Sequence, residues 1–127
     1  MNITELCYLD RVSYKGKPIV VCGINGTFNE VTDENNNIYD ASVLSPIEVT
    51  DEMLLLNGFT NMGVSLSYTF GKSHIIWFKI TNVVIYASDV NAVRDDSIRI
   101  KAKHVHKLIH LLSDVGLTEM VRNFRTK

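Results

Sequence analysis

The chain opens with short runs in which apolar and polar side chains alternate, each cut off by turn residues. "DRVSY" (10–14), "PIVVCGI" (18–24) and "TFNEVT" (27–32) are the first of these, and apolar alternation over such lengths predicts β-strands. "KGK" separates the first two runs around a glycine-containing turn. Asn25-Gly26 follows the second, and this dipeptide predicts a two-residue hairpin, because both residues tolerate the positive φ of a type I′ turn. The polar cluster "DENNN" (33–37) then leads to "IYDASVL" (38–44). Strands this short and closely spaced predict a small, strongly bent antiparallel sheet or barrel.

The period then changes. In "SPIEVTDEMLLLNGF" (45–59), Thr50 is placed as an N-cap, with Asp51 and Glu52 in the first turn at the positive end of the helix dipole. Met53, Leu54, Leu55 and Leu56 are the expected buried face, and Gly58 is placed to take a left-handed C-cap conformation. "GVSLSYTFG" (63–71) alternates again, with Val64, Leu66, Tyr68 and Phe70 on one side and Ser65, Ser67 and Thr69 on the other. "HIIWFKI" (74–80), "NVVIYAS" (82–88) and "SIRIKA" (97–102) are further strands, so residues 64–101 predict an antiparallel sheet of three or four strands. In "SIRIKA", Ile98 and Ile100 face away from Arg99 and Lys101. A closing helix is expected from about Ala102 to Gly116, since Val105, Leu108, Ile109 and Leu112 form one apolar stripe. A last short helix follows, with Thr118 as its expected cap.

Composition changes this picture little: 46% hydrophobic and 21% charged residues in 127 positions suit a globular chain with a buried core. No run approaches the ~18 consecutive apolar residues that a membrane helix needs. The start "MNITELCYLDRV" lacks the pattern of a signal peptide, so a cytoplasmic protein without a membrane partner is expected. Cys7 and Cys22 then read as reduced thiols, with Cys22 packing as a small hydrophobe. Charge is uneven. Residues 1–60 carry 3 basic and 9 acidic side chains, whereas residues 94–127 carry 8 basic and 4 acidic. Such a basic end marks either a surface for an anionic partner or attraction between the two halves.

The strongest concentration of candidate chemistry is "KHVHKLIHLL" (103–112). With the apolar stripe facing the core, His106 and His110 fall on one flank beside Lys103 and Lys107, and His104 falls on the other. Three histidines so divided cannot share one ion, and two lysines repel a cation. The expected role is a solvated basic flank, with no metal site and no cofactor. Asp95 and Asp96 read as a solvated turn. Cys7 and Cys22 lack a base nearby in sequence, so neither is expected to act as a nucleophile. There is no phosphate-binding loop and no Gly-x-Ser-x-Gly nucleophile turn. Trp77, Tyr68, Phe70, Phe78 and Tyr86 are expected to pack mainly as core, with base stacking as the other role open to them.

Three stretches together support a resemblance. "YLDRVSYKGKPIVVCGI", "LSPIEVTDEMLLLNGF" and "KHVHKLIHLLSDVGL" resemble the opening, middle and closing segments of a family of small uncharacterised proteins from Bacteroidetes and their phages and mobile elements. The match on the closing helix rests on Val105, His106, Leu108 and Leu112; where the family usually reads Tyr-Val-His-Gln-Leu, this chain has His104 before Val105 and Lys107 after His106. The resemblance implies an SH3-like opening and an origin in that group, and brings no known activity with it. The resulting expectation is an α+β chain. Residues 1–50 form an SH3-like small β-barrel lobe, and residues 51–127 a lobe of linking helix, antiparallel sheet and C-terminal helix packed on that sheet. The expected function is a non-enzymatic binding or accessory protein that contacts another protein. The alternative is a nucleic-acid-binding module. Either would use Arg99, Lys101, Lys103, His106, Lys107 and His110.

Overall fold

A computed structural model describes residues 1–87 and 98–127. The fold is α+β, as the alternation of periods predicts, and its strands pair antiparallel in three sheets. Asp95 and Asp96 lie outside the described residues. The chain divides into two compact units, residues 1–48 with 104–126, and residues 49–103. The sequence reading places a boundary at 50/51 and keeps the closing helix with the sheet of residues 64–101. In the structure, that helix belongs with the N-terminal strands.

In the first unit, β1 (Arg11–Tyr14) lies between β2 (Lys17–Val20) and the later strand β6 (Leu44–Pro46). The other sheet is a meander of β3 (Gly23–Asn25), β4 (Glu30–Thr32) and β5 (Ile38–Asp40). These six strands form two three-stranded sheets and no closed barrel, so the expected SH3-like barrel is not confirmed. Leu6, Val12, Ile19, Val21, Val31, Ala41 and Leu44 form a shared apolar cluster.

The type I′ turn lies elsewhere than expected. Tyr14 pairs with Lys17, and the two residues between them, Lys15 (φ 49°) and Gly16 (φ 82°), both have positive φ, the signature of that turn. Asn25 pairs instead with Glu30 across a four-residue loop. There the Asn25 Oδ1 accepts from the backbone N–H groups of Thr27 and Phe28 at 3.2 and 3.4 Å. The side chain, rather than the Asn-Gly backbone, organises that loop. The polar "DENNN" cluster works similarly. Asp33 accepts from the Asn35 and Asn37 amides, the Asn37 side chain and the Tyr39 hydroxyl.

The C-terminal segment completes the first unit with α2 (Val105–Asp114) and α3 (Thr118–Arg122). α2 starts three residues later than expected, because Ala102 directly follows a strand. It packs on β1 and α3, and its Val105, Leu108, Ile109 and Leu112 are buried, as the stripe predicts. Leu117 rather than Thr118 precedes α3 as its cap, and no side chain bonds there. Arg11, almost fully buried, donates to the carbonyls of Leu9, Arg122 (3.0 Å) and Phe124 (3.3 Å). The first β-strand thereby holds the end of α3.

The second unit begins with α1 (Asp51–Leu56), where Thr50 Oγ1 accepts from the Met53 amide at 3.2 Å as expected of an N-cap. Only Met53 and Leu54 are buried; Leu55 and Leu56 turn outward, because a helix this short presents a single side to its sheet. Gly58 has the expected positive φ of 89°. The sheet runs in the order β11-β10-β9-β8-β7, built from β7 (Thr60–Asn61), β8 (Ser65–Phe70), β9 (Ser73–Phe78), β10 (Val83–Ala87) and β11 (Ile98–Lys101). Residues 64–101 therefore supply four strands and β7 a fifth. Leu66, Trp77 and Val84 pair in register across one face and are buried. Trp77 Nε1 donates to the Ala102 carbonyl at 3.4 Å.

Candidate functional site

The site is built on a strained turn that leads into β1. Leu9 has φ 73°, a left-handed conformation costing a branched residue about 1–2 kcal/mol. The conformation is held by Leu9 N–H donating to the Val21 carbonyl at 2.7 Å and Val21 N–H donating to the Asp10 carbonyl at 2.8 Å. It folds residues 7–10 back on themselves, so that the Asp10 Oδ2 accepts from the Cys7 amide at 2.7 Å. Asp10 is completely buried. Its Oδ2 lies 2.9 Å from the Nε2 of His110 on α2, and its Oδ1 has no hydrogen-bond partner. The Cys7 Sγ completes the group: one donor atom each from Cys7, Asp10 and His110 lie within 4.8 Å of one another. Beside them opens a cleft of about 390 Å³ lined by Cys7, Tyr8, Leu9, Ser113, Val121 and Arg122 among others.

Electrostatics at this turn are set first by burial. Burial raises the Asp10 carboxyl above the usual carboxylate range, although the bonds from Cys7 and His110 and the nearby Arg11 charge pull it down. Partial desolvation raises the thiol of the otherwise exposed Cys7, helped by the carboxylates of Asp10 and Asp114 and opposed by Lys107. A raised thiol is protonated at neutral pH and is a poor nucleophile. The neighbouring imidazole is committed to Asp10 rather than placed as a base for sulfur.

The histidines do not form a solvated flank. His106 is only 3% exposed and its Nδ1 has no hydrogen-bond partner. The helix packs on both β1 and α3, so its buried arc is wider than one stripe. His110 is half-buried on the buried carboxylate. His104 precedes the helix in extended conformation. Helical spacing therefore does not place it on the opposite side, and its ring stacks on that of His106 at 5.9 Å. His106 in turn meets His110 edge-on at 6.0 Å.

The six residues picked from the sequence fall in both units. Arg99 and Lys101 are exposed on the edge strand β11 and Lys103 follows them, all within the second unit. His106, Lys107 and His110 belong to α2 in the first, and of these three only Lys107 is exposed. Sequence reasoning missed Asp10 and the association of Cys7 with His110. A three-residue step from Cys7 to Asp10 was the one visible signal, and nothing local points from there to a histidine 100 residues away.

No protein-family model, curated protein or solved structure matches the chain. Among the described residues, no helix is long and apolar enough to cross a membrane.

Proposed function

We propose that the protein is a non-enzymatic binding or accessory module that acts by contacting another protein. The observation that carries this reading is an apolar tip on the second unit. Val64 and Lys79 are neighbours, the Lys79 amide donating to the Val64 carbonyl at 3.1 Å, so the turn after β7 and the turn after β9 lie side by side. Met62, Val64 and Ile80 at these turns are 62, 69 and 89% exposed. Clustered exposed aliphatics at adjoining turns are what a protein contact uses, and Leu55 and Leu56 of the same unit are exposed as well. The protonated Cys7 thiol favours binding over covalent catalysis. The resemblance of the opening, middle and closing segments to small phage and mobile-element proteins adds that setting to the proposal and no activity.

Nucleic-acid binding is the less favoured reading. Arg99 and Lys101 alternate with Ile100, which pairs with Val84. They therefore point to the face opposite the aromatic row of Tyr68, Phe70 and Tyr86. A stacking surface needs cations and rings on one side, and Trp77 is buried.

The test is affinity capture from host lysate with wild-type protein and a Val64→Asp/Ile80→Asp variant. The reading expects a stoichiometric polypeptide that survives nuclease treatment and is lost in the variant. Recovery of nucleic acid that dissociates steeply with salt, and is abolished by Lys103→Glu with Lys107→Glu, would replace it with the second reading.

A further inference from the structure

We propose that Cys7, Asp10 and His110 bind a borderline-soft divalent cation, Zn²⁺ by their chemistry, with a fourth coordination position open to the adjacent cleft. Three observations converge. First, the donor set is one sulfur, one imidazole nitrogen and one carboxylate oxygen within 4.8 Å of one another. Zinc accepts all three donor types, whereas magnesium and calcium require oxygen. Second, the Asp10 carboxylate points into the group and is fully buried, with Oδ2 against His110 and Oδ1 without any protein partner. Burying a carboxylate without full pairing is costly, and a cation among these donors relieves that cost. Third, a turn held at unfavourable φ by Leu9 puts Cys7 and Asp10 at the same point, and backbone strain of this kind concentrates at functional sites.

Bond lengths of 2.0–2.3 Å around a tetrahedral zinc ion place its donors roughly 3.5 Å apart. His110 Nε2 and Asp10 Oδ2 already approach to 2.9 Å, so they must part slightly while the sulfur closes in. Cys7 is an exposed residue, free to rotate that far. On binding, the Cys7 S–H bond breaks, its proton leaves to solvent and the sulfur lone pair forms the bond to the metal. His110 coordinates through the Nε2 lone pair as the Nδ1–H tautomer, any hydrogen on Nε2 passing through solvent to Nδ1, and the metal then stands between Nε2 and Asp10 Oδ2. Lys107 opposes the added charge, but it is exposed, whereas Asp10 and the nearby Asp114 contribute negative charge to the same sulfur. Cys7 also lines the cleft, so the fourth ligand is water or an incoming group. The site lies in the first unit and does not depend on the exposed tip of the second.

The experiment uses the full chain after chelator treatment, titrated with Co²⁺ as a spectroscopic stand-in and then with Zn²⁺. The expected result is one equivalent of Co²⁺ with a thiolate-to-cobalt charge-transfer band, displaced by Zn²⁺. Cys7→Ser and His110→Gln should each lower Zn²⁺ affinity by more than the roughly 10–100-fold seen for outer-shell changes, while Cys22→Ser leaves it unchanged. Cys7 is exposed, so its serine variant retains the fold, and circular dichroism verifies this for each variant. Absence of the charge-transfer band, or Zn²⁺ affinity that is the same in Cys7→Ser as in wild type, overturns the assignment.

Discussion

At the scale of single residues, His106 has the clearest consequence. Burial lowers its pKa from 6.5 to about 4, with Lys107, His110 and His104 adding to the effect. A base whose folded pKa is depressed favours the folded state while it stays neutral, above the unfolded value. That contribution disappears as pH falls through the folded value, because the unfolded chain takes up the proton first. In a chelating buffer, thermal stability should therefore decline between pH 6.5 and about 4. His106→Leu, which also removes the unpartnered Nδ1, should flatten that decline; an unchanged pH profile in the variant would locate the proton uptake elsewhere. The helical period alone puts His106 beside the stripe. Its burial was illegible because a period gives the direction of a side chain and not how wide an arc the neighbours cover. Asp10 was harder still to see. It reads as one more polar residue ahead of a strand, and only the return of Cys7 through a left-handed Leu9 gives its carboxylate a role.

At the scale of elements, the two N-terminal loops reverse the expectation drawn from their sequences. Lys15-Gly16 forms the tight hairpin, while Asn25-Gly26 sits in a loop organised by a side chain. A Cβ at Gly16 meets nothing within 4 Å, yet φ there is 82°, so Gly16→Ala should cost about 1 kcal/mol for conformational reasons alone. Gly26 is equally uncrowded and has no such positive φ. Gly26→Ala should be neutral or stabilising by up to about 1 kcal/mol. Chemical denaturation of the two variants separates the cases, and equal destabilisation would mean that both loops need glycine. Thr50→Ala should cost about 1 kcal/mol through loss of the bond to the Met53 amide. That cap was readable from sequence because the donor, acceptor and spacing all lie within one turn. So were the strands of residues 64–101, where three or four were expected and four pair, although Val64 falls outside β8 and is exposed while Ser65 is buried. The division of the six N-terminal strands into two open sheets was not, because strand patterns specify faces without specifying which edges pair.

At the scale of the whole molecule, the first unit is assembled from the two ends of the chain. Residues 49–103 form their own sheet, and residues 104–126 return to residues 1–48. Several contacts hold that return, His110 with Asp10 among them. Arg11 donates to the Arg122 and Phe124 carbonyls, and the Val105 amide donates to the Ile47 carbonyl at 2.7 Å. An apolar stripe on a C-terminal helix says that a partner exists, and the nearest sheet in sequence was the natural candidate. The partner is instead β1, a pairing across nearly the whole chain that no local pattern encodes. The candidate site inherits the same limit, since Asp10 and His110 meet only because of that closure. If the closure is essential, the strands of residues 11–46 cannot persist without α2. A chain truncated after Lys103 should lose the dispersed amide resonances of those strands while retaining those of the sheet formed by residues 60–87 and 98–101. Leu108→Ala, which empties a fully buried position in α2, should cost about 2–5 kcal/mol. It should speed hydrogen exchange at Val12 and Ile19 more than at Ile75 and Val84. Uniform acceleration in both sets would show instead that the two units unfold as one, and persistence of the N-terminal strands in the truncated chain would show that they fold without help from the far end.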